Sequence, residues 1–67
     1  MFGWIYIDDR GEESGGSRLF ADLTAAEDWI GLSWQGLREY GITEVALHDH
    51  VKDARVYRVG LQMSEMG

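Results

Sequence analysis

The side chains whose types and spacing come closest to supporting chemistry are those of His48 and His50. Residues two apart in an extended segment point the same way, so both imidazoles could meet one metal ion, with Asp53 as a third ligand. Neither histidine has an evident neighbour to orient its ring, and two nearby histidines are common at a hairpin. The sequence therefore predicts no metal site and leaves zinc binding here as the lowest-ranked alternative.

Two further patterns resemble parts of active sites. Asp8 and Asp9 are adjacent, and adjacent strand residues point to opposite faces, so they do not readily act together on one ion. Ser14 and Ser17 lie in a glycine-rich segment that has no lysine nearby, unlike a phosphate-binding loop. A chain of 67 residues also has little room for an enclosed pocket. We expect no enzymatic activity and no cofactor.

Charge is the most informative property of the chain. Twelve acidic residues against six basic ones give a formal net charge of −6. A field of this sign steers the protein toward basic surfaces and away from nucleic acids and anionic lipids. There is no cysteine, and hence no reason to place the protein in an oxidising compartment. No apolar stretch approaches the ~20 residues that cross a membrane, and no basic flank marks a signal peptide. We expect a cytoplasmic protein.

The composition also predicts a folded core. Hydrophobic residues make up 45% of the chain, and aromatic residues 12%, which is unlike a disordered acidic tail. A single domain spanning residues 1–67 is expected, although so small a chain buries only about 60% of its unfolded surface.

A helix is predicted over residues 25–40. Thr24 and Glu27 have the spacing of a capping box, Asp28 would complement the dipole in the first turn, and Gly41 can end the helix. Helical periodicity groups an apolar stripe, with Trp29 and Trp34 flanking it: Ala26, Ile30, Ser33, Leu37 and Tyr40. Gly31 and Gly36 suggest close packing against a neighbour. Leu32 falls on the polar side.

Four strands are predicted around this helix. Residues 2–7 alternate apolar side chains on both faces, residues 18–21 form a short return strand after a flexible turn at 10–17, and residues 42–48 and 55–63 form a hairpin. The expected fold class is α+β, a small antiparallel sheet in β-β-α-β-β order with one helix packed on one face.

The acidic residues are grouped along the sequence. Asp8, Asp9, Glu12 and Glu13 surround the first turn, whereas Asp22, Glu27 and Asp28 surround the start of the helix. If the short return strand pairs with the first strand, both groups could contribute to one negative face. Leu32 could then be the apolar centre of a partner-binding surface, because interface energy concentrates in few buried residues. A solvated face that aids solubility is the alternative.

In general character the chain resembles the small acidic anti-CRISPR proteins that phages use against host defences. The resemblance rests on its size, its lack of cysteine and the acidic runs Asp8-Asp9…Glu12-Glu13 and Asp22…Glu27-Asp28. It implies a phage protein in the host cytoplasm that binds a basic nucleic-acid-binding protein, such as a CRISPR effector, and in part mimics DNA. Arg55 and Arg58 depart from a uniformly acidic mimic, so one side at most would imitate DNA.

Two functions are thus predicted from different classes. The leading one is a non-enzymatic inhibitor that binds a basic surface of a nucleic-acid-handling protein through the seven carboxylates. Leu32 or an exposed tryptophan would supply its apolar anchor. The alternative is a small structural or regulatory module that forms a homodimer through an open sheet face around Trp4 and Tyr6.

Overall fold

Four antiparallel strands and one helix form the described part of the chain, which in this computed structural model comprises residues 1–61. The bounds are β1 Phe2–Asp8, β2 Glu13–Phe20, α1 Leu23–Glu39, β3 Ile42–Asp49 and β4 Ala54–Gly60. This confirms the α+β class and the β-β-α-β-β order. The predicted contribution of Met63 to the last strand lies outside the described residues. None of the described residues forms a helix with the length and hydropathy that a membrane crossing requires.

The strands are ordered β2-β1-β3-β4 across the sheet. Both β2 and β3 are antiparallel to β1, so they run in the same direction on either side of it. The helix α1 connects β2 to β3 and therefore has to pass over β1. This connection fixes which side of the sheet is covered by the helix.

The helix covers the side of β1 that carries Trp4 and Tyr6. Trp4 is only 1% exposed, and its indole N–H donates to the carbonyl of Ala26 at 2.9 Å. Tyr6 stacks against Trp29, and Trp4 lies opposite Leu47 in the ladder with β3. The buried cluster on which the fold depends is Trp4, Phe20, Ala26, Ile42, Val45, Leu47 and Leu61.

The helix begins two residues earlier than predicted. Asp22, not Thr24, is the N-cap, and its carboxylate accepts the backbone N–H of Ala25 at 2.8 Å. Aspartate and threonine are both good caps, and Asp22 directly follows the end of β2, so the chain turns into the helix there. Asp28 therefore lies beyond the first turn. At the other end, Gly41 adopts a φ of +89° and ends the helix as predicted.

The strand β2 is much longer than the predicted return strand. Gly15 and Gly16 pair with Tyr6 and Ile5, in the segment expected to be a flexible turn. A Cβ on Gly16 would lie 3.1 Å from the carbonyl oxygen of Trp4, so the missing side chain permits this approach. The register shifts beside it, and the hydroxyl of Ser17 accepts the N–H of Trp4 at 2.9 Å. Pairing with β1 and the hydrogen bond that Ser17 accepts thus keep the glycine-rich segment of β2 in a strand conformation.

Tyr40 does not belong to the apolar stripe. Its side chain is 86% exposed, and it is the C-cap residue, with φ −92° and ψ 8°. Helical periodicity no longer applies at that position, which explains the wrong prediction. Trp29 and Trp34 are half-buried and pack against the core from the flanks, as predicted.

Candidate protein-binding surface

The turn between β1 and β2 is fixed by one carboxylate. Asp8 accepts the backbone N–H groups of Arg10 and Glu12 at 3.0 and 2.9 Å. The backbone N–H of Asp8 donates to the carbonyl of Glu12, and the carbonyl of Asp8 accepts the N–H of Gly11. Gly11 adopts a φ of +81°. A turn with this many internal hydrogen bonds has one preferred conformation. The chain therefore presents its tip, residues 9–12, in a defined geometry.

The electrostatics of this turn separate Asp8 from its acidic neighbours. The N–H of Glu12 holds the pKa of the Asp8 carboxyl below its usual range, and Arg10 adds to this effect. Asp9 and Glu12 are exposed, and among residues 1–61 neither forms an ion pair within 4.0 Å. Asp8 thus has a structural role, whereas the carboxylates of Asp9 and Glu12 are exposed to solvent.

Glu13 and Glu27 contact the chain's own side chains. Glu13 lies 3.8 Å from the guanidinium of Arg55, and Glu27 accepts the hydroxyl hydrogen of Tyr57 at 2.7 Å. Burial, followed by this bond to Glu27, raises the pKa of Tyr57 to about 12. Neither carboxylate is as free to contact a partner as Asp9 or Glu12.

The structure places the two acidic groups at opposite ends of β2. Asp8, Asp9, Glu12 and Glu13 lie at the start of β2, while Asp22, Glu27 and Asp28 follow its end. An eight-residue strand separates its ends by roughly 20 Å. The return strand does pair with β1, as the expectation of one negative face required. That single face, and the partner-binding role of each group, stay predictions.

Most of the basic side chains contact other side chains of the protein, although all six basic residues are exposed. Arg18 and Arg38 pack over the rings of Phe20 and Trp34, at 5.0 and 5.8 Å. Arg58 forms a two-bond pair with Glu44, both bonds at 2.7 Å, and Arg55 faces Glu13. Four of the six basic residues thus have partners within the chain. These contacts leave the excess of acidic over basic residues, twelve against six, unchanged.

Leu32 lies on the outward face of α1, as predicted, and its side chain is 88% exposed. Asp28 and Glu39 are exposed on the same face. The sequence missed one relation, the closeness of the β1–β2 turn to the end of the helix. A cleft of about 270 Å³ has both Asp9 and Arg38 in its lining. No local pattern could have indicated this, because it depends on how the helix crosses the sheet.

The sheet side opposite the helix does not carry Trp4 and Tyr6. A dimer interface centred on these two residues would lie beneath the helix, so that prediction names the wrong residues. The opposite side carries Ile5 and Ala46, which are neighbours in the β1–β3 ladder. Ala46 is 0% exposed although no helix lies there. Arg58 is its neighbour on β4, and long charged side chains can bury apolar surface beneath their stems.

The two histidines do lie together. The rings of His48 and His50 meet edge to face with centroids 4.7 Å apart, and His48 Nε2 lies 3.2 Å from an Asp53 carboxylate oxygen. Within residues 1–61, no three or more His, Cys, Asp or Glu side chains are arranged so that they could hold a metal ion. The contact with Asp53 orients the His48 ring within the hairpin.

Comparison with known proteins provides no relative of this chain: no protein-family model, no curated protein and no solved structure matches it. The assignment of a function therefore rests on the geometry and charge described above.

Proposed function

We propose that this protein is a non-enzymatic inhibitor that binds a basic surface of a nucleic-acid-handling protein and excludes nucleic acid from it. The observation that carries the proposal is the β1–β2 turn, where Asp8 fixes a backbone that presents Asp9 and Glu12 to solvent. Carboxylates on a fixed backbone lose little conformational entropy on binding, which favours affinity.

The distribution of charge supports the same proposal. The chain has a formal net charge of −6, and four of its six basic residues are held against its own side chains. The net negative charge accelerates encounter with basic surfaces, and salt weakens this effect. A CRISPR effector is one partner of this chemistry, in line with the resemblance to anti-CRISPR proteins.

The structure sharpens the choice of charge variants. Substituting Asp8 would disturb the turn, and substituting Glu13 would release Arg55, so neither isolates the effect of charge. Asp9 and Glu12 have no such partners among the described residues. The test variant is therefore Asp9→Asn with Glu12→Gln, called the turn variant below.

A matched control exists in the β3–β4 turn, at the end of the sheet away from the β1–β2 turn. Asp49→Asn with Asp53→Asn, the far-end variant, likewise removes two charges. The asparagine oxygen at position 49 can still accept the N–H groups of Val51 and Lys52, and asparagine tolerates the positive φ of 55° at position 53. Both variants should fold like the wild type, which circular dichroism would check.

The experiment begins with capture from nuclease-treated bacterial lysate at low and high salt, using the tagged wild-type protein. Each protein retained only at low salt is purified and loaded with fluorescently labelled duplex DNA. The proposal predicts that added wild-type protein displaces this DNA and that the turn variant displaces it less. Capture of proteins that bind no nucleic acid, or DNA that stays bound at saturating wild-type protein, would reject the proposal.

A further inference from the structure

The outward face of α1 has a feature that no contact within the described chain explains. Gly36 is exposed, and a Cβ built on it would meet no heavy atom within 4 Å. Glycine inside a helix costs about 1 kcal/mol relative to alanine. The sequence suggested that such glycines allow close packing against a neighbour, but the neighbour is not within residues 1–61. Gly36 therefore destabilises the free helix without relieving any crowding there.

An exposed apolar side chain lies beside this glycine. Leu32 precedes Gly36 by one helical turn, which places the two about 40° apart around the helix axis. Leu32 is 88% exposed, the largest exposed fraction among the large hydrophobic residues described. A leucine next to a bare stretch of backbone forms a knob and an adjacent depression on the same face.

The charged residues along the crest of this face are all acidic. The outer ridge, as we call it, comprises residues that are all exposed: Asp28, Leu32, Gln35, Gly36 and Glu39. It contains two carboxylates and no basic residue. Arg38 borders the ridge: its guanidinium lies over the ring of Trp34, and it lines a depression together with Gln35 and Glu39. Leu32 is thus an apolar contact point with a carboxylate on either side along the helix.

We infer that the outer ridge docks onto a partner protein that has an apolar pocket rimmed by lysine or arginine residues. Leu32 enters the pocket, Asp28 and Glu39 meet the rim, and Gly36 lets the partner approach the helix backbone. This inference rests on the proposed function, because it supplies the apolar anchor that carboxylates alone do not provide.

Charge complementarity selects this occupant over the other candidates. A second copy of the chain would bring Asp28 and Glu39 against the same residues of its partner, which repels. Nucleic acids and anionic membranes are excluded by the same sign of charge. A basic protein surface with an apolar pocket is the occupant that matches both the leucine and the carboxylates.

The first test compares two exposed leucines. The probe is the nucleic-acid-binding protein that the wild-type chain captures at low salt, titrated by calorimetry with Leu32→Ala and Leu19→Ala. Leu19 lies on β2, away from the ridge, and is partly exposed. Leu32→Ala should weaken binding by about tenfold or more, as expected for a hot-spot anchor, and Leu19→Ala should leave it unchanged.

The second test compares two glycines in the same helix. Gly31 is also exposed and equally uncrowded, but it lies about 100° from Leu32 around the axis, off the ridge. Gly31→Ala and Gly36→Ala should both raise the melting temperature of the free protein. Only Gly36→Ala should weaken binding of the captured protein, so the expected signature is a more stable protein that binds less well.

The outcomes separate this inference from the proposed function. If the wild type displaces DNA but Leu32→Ala and Gly36→Ala bind as tightly as wild type, the ridge is rejected and the inhibitor function stands. If both ridge variants weaken binding while the turn variant does not, the ridge is supported and the turn is rejected as the contact. If no nucleic-acid-binding protein is captured, both proposals fail.

Discussion

The helix side of the sheet is covered by aromatic side chains and a helix, whereas on the opposite side arginine side chains form ion pairs with glutamates of other strands. On the helix side, Trp4 packs beneath Ala26, and the Trp4 indole N–H donates a hydrogen bond to the Ala26 carbonyl. On the opposite side, Ala46 is equally buried, yet its surroundings include the Arg58–Glu44 pair. The pair of Arg55 and Glu13 joins the two outer strands across the full width of the sheet.

This difference shows how a chain with one helix encloses a sheet that has two apolar sides. The second side carries Ile5 beside the small Ala46, and Arg58 is the ladder neighbour of Ala46. We expect the aliphatic stem of Arg58 to cover this alanine. Pairing with Glu13 and Glu44 reduces the attraction of Arg55 and Arg58 for anionic partners. Each pair also neutralises one carboxylate, so the chain keeps its formal net charge of −6.

The largest expected effect belongs to the helix side. Trp4→Ala removes a buried indole and its hydrogen bond, and should lower the free energy of unfolding by about 3–5 kcal/mol. In so small a protein this loss approaches the whole stability, so cooperative unfolding in urea should disappear. Trp34→Ala, at a half-buried flank, should retain a cooperative transition. A wild-type-like transition for Trp4→Ala would contradict the described core.

A smaller effect is expected where the helix side meets β4. Tyr57→Phe deletes the bond to Glu27 and should lower the free energy of unfolding by about 1 kcal/mol at neutral pH. The fold raises the pKa of Tyr57 from 10.0 to about 12, so it favours the neutral phenol. That contribution is complete below pH 10 and is lost as the pH rises from 10 to 12.

Urea unfolding of wild type and Tyr57→Phe between pH 8 and about 12 measures this dependence. The difference in stability between the two proteins should shrink across the upper part of that range. A difference that stays constant with pH would show that the hydroxyl contributes nothing through its ionisation.

The smallest effect on stability is expected on the opposite side. Arg58→Met breaks the pair with Glu44 but keeps a long apolar stem, so the melting temperature should change little. The variant should instead self-associate, because an apolar side chain then replaces the charged cover. Light scattering over a concentration series would detect this self-association. Arg10→Met, in the β1–β2 turn, is the control, because it also removes one positive charge and adds a methionine. Equal scattering from both variants would contradict the covering role of Arg58.

The sequence predicted those parts of the fold that depend on local pattern. Alternation in residues 2–7, periodicity around Trp29 and the glycine at position 41 each indicated the correct element. The length of β2 was missed because Gly15 and Gly16 have no strand preference of their own. Their conformation is set by pairing with β1, which is a long-range property.

For the candidate site, too, the sequence predicted what depends on local pattern and missed what depends on long-range packing. Exposure of Leu32 follows from its position opposite the apolar stripe, and was correct. The distance between the two acidic groups has no local signal, because it follows from the length of β2. Which carboxylates have partners, such as Glu27 with Tyr57, depends on how the helix crosses the sheet and has no local signal.

The most direct test of the central claim is the affinity of the captured nucleic-acid-binding protein for wild type, the turn variant and the far-end variant at low and at high salt. We predict that the turn variant binds several-fold more weakly at low salt and that its deficit shrinks at high salt, where the charges are screened. The far-end variant should bind like wild type at both. Equal affinities for the turn variant and the far-end variant would contradict the claim that Asp9 and Glu12 present the charge that the partner recognises.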